Sequence, residues 1–513
     1  MKRNNNQDKN SMNEELYYYV TTPIYYVNDK PHIGHAYTTI LADVLSRYHK
    51  VEGEKVFFLT GVDEHGQKVQ QAAEKRGLDP QQHCDEMAPR FKELWERLEI
   101  QNDDFIRTTE ERHKRIVRTA LQKVYDNGDV YIDEYEGWYS VSEERFITET
   151  EMKSGAFRDV RKIKEKNYFF KMSRYQQRLI DHIEKNPGFI QPISRRNEIM
   201  GFLRQPLGDL CISRPKSRLS WGVELPFDPD YVTYVWFDAL LNYISAIGWG
   251  SDEKRFKQWW PASIQLIGKD ILTTHAVYWP TMLFSLGLEL PAAIFAHGWW
   301  LTGDVKMSKS LGNVVNPLDL VDEYGVDAVR YYLMREMVLG MDSNFSRESF
   351  IKRYNSDLAN DFGNLLNRVS GLIGKYFEGK IPEPGTPTES EQDVIRTAEA
   401  LEGKVAGFVN EMRIHEAIEE TLQLVRQANK YMETQAPWKL AKEDKSAAGR
   451  VLFTSMESLR VAAVLLSPVM PEKTRQVLNV LGAAGTKPSW GGLKSGTLLQ
   501  THEALFPRIE IEK

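Results

Sequence analysis

The sequence predicts an α/β chain: a doubly wound catalytic domain split by an insertion, followed by a bundle of α-helices. Three observations carry this. From Leu16 to about Asn127, β-prone runs alternate with helical periodicity. Between about Tyr131 and Pro226 the texture changes to short aromatic strands separated by charged turns, and from Ser346 onward helical spacing dominates.

The elements follow in order. Residues 1–15 are Asn-rich and polar and read as a disordered tail. Tyr17-Tyr18-Tyr19-Val20 is a strand, and a turn-rich stretch with Pro23, Asn28 and Pro31 follows it. Ile33, Tyr37, Ile40, Leu41, Val44, Leu45 and Tyr48 then recur at helical spacing. Val56-Phe57-Phe58-Leu59 is a second strand, so residues 16–130 form the first half of the catalytic domain. Residues 131–226 read as the insertion. The α/β texture resumes at Tyr234-Val235-Trp236-Phe237 and Ile264-Gln265-Leu266-Ile267, giving a second half over 227–315 and a connecting segment over 316–345. Residues 346–513 form the helical domain, with Ile414, Ile418, Leu422 and Val425 on one apolar face and Leu452, Met456, Leu459, Ala463 and Leu466 on another. Ile381 to Pro387 is a loop between two of its helices.

With 513 residues, 42% hydrophobic and 27% charged, the chain is too long for one core and has ordinary globular composition. No apolar run approaches the roughly 18 residues that span a bilayer, so no membrane segment is expected. Two cysteines, Cys84 and Cys211, lie far apart without metal-ligand spacing, which fits a reducing cytoplasmic setting. A net charge of −6 does not advertise a nucleic-acid binder. Any RNA contact must rest on local patches, for example Arg195, Arg196, Arg204, Arg214, Lys216 and Arg218 with Arg158, Arg161, Lys162, Lys164 and Lys166 upstream.

Two short strings point to ATP. His32-Ile33-Gly34-His35 opens the first long helix, and Lys306-Met307-Ser308-Lys309-Ser310 follows about 270 residues later in a loop. A helix N-terminus presents unpaired N–H groups and partial positive charge to a polyphosphate. Gly34 would let the backbone approach closely, while His32 and His35 can donate hydrogen bonds to phosphate oxygens. Lys306 and Lys309 would meet the same phosphates from the other side, where charge develops during displacement.

These strings, together with Gly268-Lys269-Asp270, resemble the class I aminoacyl-tRNA synthetases, and from Leu16 onward the chain is similar to their methionine-specific family. The resemblance implies a Rossmann-like catalytic domain with a helical anticodon-binding domain. It also implies a ligase that activates L-methionine with ATP-Mg²⁺ and transfers it to the 3′ end of tRNA(Met), initiator and elongator alike. His32, Gly34, His35, Gly268, Asp270, Lys306 and Lys309 match the ATP site; His32, His35, Lys306 and Lys309 carry catalysis. A methionine substrate needs a carboxylate for its ammonium and apolar, aromatic surface around its thioether. Asp63, in Gly61-Val62-Asp63-Glu64-His65-Gly66, matches the first. Ile24, Tyr26, Trp236, Ala239, Leu240, Tyr243, Ile271, His275, Tyr278 and Trp279 match the side-chain pocket. Asn364, Arg368 and Trp438 match the readers of the CAU anticodon, where splayed bases stack on flat side chains.

Two departures from the family stand out. Many relatives carry a cysteine-ligated zinc knuckle in the insertion, but Glu136 to Phe146 here holds no cysteine, so no structural zinc or other metal is expected. Some relatives continue into an appended RNA-binding, dimer-forming domain, whereas this sequence stops soon after Ile509, so a monomer is expected. Competing readings are another adenylate-forming ligase of the same superfamily, disfavoured by the helical domain with Trp438, and an inactive RNA-binding paralogue, disfavoured by the two intact strings.

Overall fold

The structure, a computed structural model, describes residues 15–28, 30–140, 145–147, 149–153, 155, 159–307 and 315–510. Ser308, Lys309 and Ser310, the first 14 residues, Val141 to Glu144 and Arg158 lie outside them.

Seven parallel strands build the catalytic sheet: β1 Tyr17–Thr21, β2 Tyr25–Tyr26, β3 Lys55–Asp63, β4 Asp104–Arg107, β5 Ile190–Gln191, β6 Ile264–Gly268 and β7 Ile294–His297. β3 pairs with β4 on one side and with β1 and then β2 on the other; from β1 the sheet continues through β6 and β7 to β5. The middle strands read as apolar runs because helices cover both faces: β7 is buried throughout, and β3 from Phe57 to Asp63. Strand order reverses between β1 and β6, and a doubly wound sheet binds ligands outside its carboxyl ends at such a switch point.

The helix Ile33–Val51 matches the predicted periodicity, and Ile33, Tyr37, Ile40, Leu41, Val44, Leu45 and Tyr48 are all buried. Tyr234 to Phe237 differs from the strand pattern around it. It enters the helix Val235–Ala239, and the strand is the preceding Asp228–Thr233.

The insertion is dominated by an antiparallel hairpin, Val130–Ser140 against Val160–Phe170, in continuous register from Val130↔Phe170 to Ser140↔Val160. One part of the range 131–226 does not belong to it. β5 lies in that range, yet Ile190 pairs with Ile294 of the catalytic sheet. Two residues of strand carry too weak a pattern to be read in advance. Part of the basic patch is engaged within the protein. Arg214 is buried against the rings of Tyr234 and Tyr139, and Lys162, Lys164 and Lys216 are each paired with a glutamate, Glu136, Glu134 and Glu224.

Beyond residue 345, Arg347–Arg353, a π-helical stretch Tyr354–Gly363 and Asn364–Phe377 follow one another without a break. Glu389–Asn410, Ile414–Gln435, Pro437–Glu443, Lys445–Leu466 and Pro471–Val480 complete the bundle. Both predicted apolar faces are buried, and the proline-rich loop separates Phe377 from Glu389 as expected. Among the described residues no helix is long and apolar enough to cross a membrane.

The bundle is joined to the catalytic domain through a buried cation. Arg330, on the helix Val326–Glu336, donates to Asp43 Oδ2 (2.6 Å), Leu98 O (2.9 Å), Pro468 O (2.8 Å) and Val469 O (3.0 Å).

Candidate active site

A cavity of about 1200 Å³ opens over the carboxyl ends of β1, β3, β6 and β7. His32 caps the helix Ile33–Val51. Its Nδ1 accepts the Gly34 N–H (3.1 Å), and its own N–H donates to His35 Nδ1 (3.2 Å). With each Nδ1 acting as acceptor, the proton of each neutral ring sits on Nε2. The rings stack 3.9 Å apart. Burial, and then the neighbouring His32, push His35 well below the usual histidine range, so it stays neutral. Gly34 lines the cavity and also serves the cap. A Cβ there would meet His32 Cε1 at 2.9 Å, so the glycine makes room for the capping ring.

Asp63 closes β3, is 2% exposed and lines the cavity; β2 holds Tyr26 in register beside it. The segment after it is tied on every side. Thr108 Oγ1 takes the Glu64 N–H (2.9 Å), Trp221 Nε1 donates to Glu64 O (2.5 Å), and Glu64 accepts from Arg107 (2.8 Å).

From Tyr26, beside Asp63, aromatic rings meet edge to face around the cavity: Tyr26 with Trp236 (6.4 Å), Trp236 with His275 (6.4 Å) and Tyr243 with His275 (5.8 Å). Ile24, Ala239, Leu240, Ile271 and Tyr278 complete this wall. His275 sits in the π-helical turn Thr274–Tyr278; its Nδ1–H donates to Ile271 O (3.0 Å), so its Nε2 accepts from the Tyr243 hydroxyl (2.8 Å). Burial lowers His275 to about 4 and raises Tyr243, so both are uncharged at neutral pH. Trp279 is a correction: one residue on from Tyr278 it turns into the core, behind Tyr243 and edge-on to Trp260, and does not line the cavity.

On the far side lie Gly268 and Asp270. A Cβ at Gly268 would meet Asp270 Oδ1 at 2.6 Å, and that same oxygen accepts the Trp299 indole N–H (3.2 Å). Lys269 stacks on Trp299 (4.0 Å) and pairs with Asp342 (2.7 Å). His297, lowered by burial, donates from Nδ1 to Gly298 O (2.7 Å) and takes the Thr38 hydroxyl on Nε2 (2.7 Å). The lysine-rich string begins in a hairpin, Trp300–Thr302 with Val305–Lys306, which brings the backbone of Lys306 opposite Leu301 and Met307 to the cavity; Lys309 lies outside the described residues.

The sequence reading missed a buried cluster behind this wall. Asp238, fully buried, accepts His65 Nδ1–H (2.6 Å) and His113 Nε2–H (2.7 Å), and Ser245 bonds to His113 Nδ1 (2.8 Å). Burial opposes its charge, yet the two imidazoles pull its carboxyl down to about 2. His65 and Asp238 both stood in noted strings, but nothing in sequence links residues 173 positions apart.

In the bundle, Asn364 and Arg368 are partly exposed one turn apart on the helix Asn364–Phe377. Trp438, half-buried on Pro437–Glu443, is tied to the end of that helix where the Tyr376 hydroxyl donates to its carbonyl (3.5 Å). Among the described residues no group of three or more His, Cys, Asp or Glu side chains could hold a metal ion.

A family profile described as tRNA synthetases class I (M) matches residues 18–156 and 152–370, and one described as the anticodon binding domain of methionyl tRNA ligase matches 381–513. The fold and the cavity are those of a class I aminoacyl-tRNA synthetase. Methionine–tRNA ligase of Caldanaerobacter subterraneus subsp. tengcongensis is 45% identical over 97% of this chain and 79% of its own length; that of Clostridium tetani is 47% identical over 98% and 80%. The solved Mycobacterium tuberculosis methionyl-tRNA synthetase in complex with methionyl-adenylate superposes with a TM-score of 0.92 at 40% identity, over 96% of this chain and all of that one. The chain belongs to the methionyl-tRNA synthetase family.

Proposed function

We propose that this methionine–tRNA ligase forms methionyl-adenylate in the cavity between Asp63, the His32–His35 pair and the Tyr243–His275 wall. The observation that carries the reading is the convergence of one buried carboxylate, a helix N-terminus with two stacked imidazoles, and an uncharged aromatic pocket around a single space.

Asp63 takes the substrate ammonium, and the ring wall takes the side chain, where a polarisable sulfur gains from aromatic contact and a charged group would lose its hydration. ATP enters as its Mg²⁺ complex, with its phosphates at the N-terminus of Ile33–Val51 and the Nε2–H groups of His32 and His35 donating to their oxygens. Asp270 and Gly268 border the nucleotide. A carboxylate oxygen of methionine attacks the α-phosphorus, the bond to the bridging oxygen breaks, and pyrophosphate leaves. The nucleophile is already ionised, so no general base is needed; positioning and charge stabilisation supply the rate. Lys306 and Lys309 bring cations to the departing pyrophosphate. The 3′-terminal ribose hydroxyl of tRNA(Met) then attacks the carbonyl carbon and releases AMP. Asn364, Arg368 and Trp438 read the anticodon.

Asp63→Asn tests the assignment. Methionine KM should rise by 10-fold or more, since an ammonium that loses its charge partner in a desolvated pocket costs about 2–5 kcal/mol, while ATP still binds. Unchanged methionine affinity in the folded variant would remove Asp63 from the site.

A further inference from the structure

One buried carboxylate ties the two sequence halves of the catalytic domain together behind the pocket wall. Asp238 belongs to the second half, whereas His65 and His113 belong to the first, 173 and 125 residues away. On the helix Val235–Ala239, Trp236 and Ala239 face the cavity, and Asp238 points to the opposite side. His65 stands two residues beyond Asp63, in a segment whose other bonds, to Thr108 and Arg107, come from its own half. Trp221 lies at the end of the insertion.

We propose that the His65–Asp238–His113 clamp is a positioning device for methionine: it sets the distance between the ammonium-binding carboxylate and the side-chain wall. The inference rests on the reading of Asp63 given above. None of the three groups lines the cavity, so they act through Asp63, Trp236 and Ala239. Burial makes the clamp stiff. Its carboxylate has no exposed surface, both its oxygens are engaged, and charge-assisted bonds of 2.6 and 2.7 Å are the strong kind. The outer bond from Ser245 fixes the second imidazole, so helix Glu111–Asp126 becomes the anvil against which the wall is held. A displacement of about 1 Å at such a remove is worth on the order of 100-fold in rate.

The test compares His65→Gln, whose amide N–H can still donate to Asp238, with His65→Ala and Asp238→Asn, in methionine-dependent ATP–pyrophosphate exchange. The alanine variant should raise methionine KM at least 10-fold with ATP KM changed less than 2-fold, and the glutamine variant should recover most of that loss. Asp238→Asn should behave like the alanine variant; if it does not fold, the His65 pair alone decides. Unchanged methionine KM in His65→Ala, or parallel changes in both KM values, overturns the clamp. Asp63→Asn separates the two readings: if it binds methionine normally, the site assignment fails, whereas its failure to bind beside a normal His65→Ala leaves the site standing and removes only the clamp.

Discussion

Arg330 and Asp43, 287 residues apart in sequence, form an ion pair at 2.6 Å with neither side chain exposed to solvent. Asp43 lies on the helix that starts at His32, and the same guanidinium holds two carbonyls of the bundle, Pro468 and Val469. One side chain therefore joins the helix capped by His32 to the anticodon-binding domain. Arg330→Met should lower unfolding free energy by about 3–5 kcal/mol, because it strands a buried charge and three carbonyls. Arg47, also paired with Asp43 at 2.7 Å, should keep the loss near the low end. Urea unfolding reads it; a loss below about 1 kcal/mol would mean that the junction rests on apolar contact alone.

Gly34→Ala sets two effects of similar size against each other. Displacing the His32 cap costs about 1 kcal/mol, and alanine regains part of that as the better helix former. Stability should barely move. Pyrophosphate exchange should fall at least 10-fold, because the ring that must point its Nε2–H outward is pushed by the new methyl. Full activity in the variant would free His32 of any role.

His275 gives a pH dependence with a definite sign. Its folded value of about 4 lies below its ordinary 6.5, so the folded state holds fewer protons than the unfolded one between those limits. Stability from this residue is present above about 6.5 and is lost as pH falls toward 4. Between pH 7 and pH 5 the loss is about 2 kcal/mol. His35 and His297, also lowered, act in the same direction. Urea midpoints at the two pH values should therefore draw closer in His275→Gln; an undiminished gap would assign the acid sensitivity to the other histidines.

Trp438→Ala should spare pyrophosphate exchange and reduce charging of a CAU-anticodon tRNA by about 10- to 100-fold, the effect of losing one stacked base, worth about 1–3 kcal/mol. Tyr376 grips the Trp438 carbonyl rather than its ring, so the truncation leaves that bond in place. A joint fall in both activities would make Trp438 part of the packing between domains.

Local pattern carried much of this molecule. The 3.6-residue period marked Ile33–Val51 and both faces of the bundle, and the positions it picks out are buried; Ile414–Gln435 buries that one face, whereas Ile33–Val51 and Lys445–Leu466 are buried on nearly every side. Short strings brought His32, Asp63, His275 and Gly268 to one cavity. What escaped depends on contacts between distant segments. β5 is two residues long, Asp238 finds its imidazoles across the insertion, and Arg330 spends its donors on main-chain carbonyls that have no sequence signature. Trp279 was misplaced because an aromatic beside a pocket residue has the same composition whether it faces the cavity or the core.

The strand β5 has one more consequence. Ile190 and Gln191 cap the outer side of β7, so residues embedded in the insertion guard the open margin of the catalytic sheet. Excising 131–226 as a cassette would bare the N–H and C=O groups of β7 to any passing chain, a template for self-association. The base of the hairpin has to stay as well, since Val130 and Phe170 are buried in the core shared with Phe237 and Ile294, and so does the return path through Ile190.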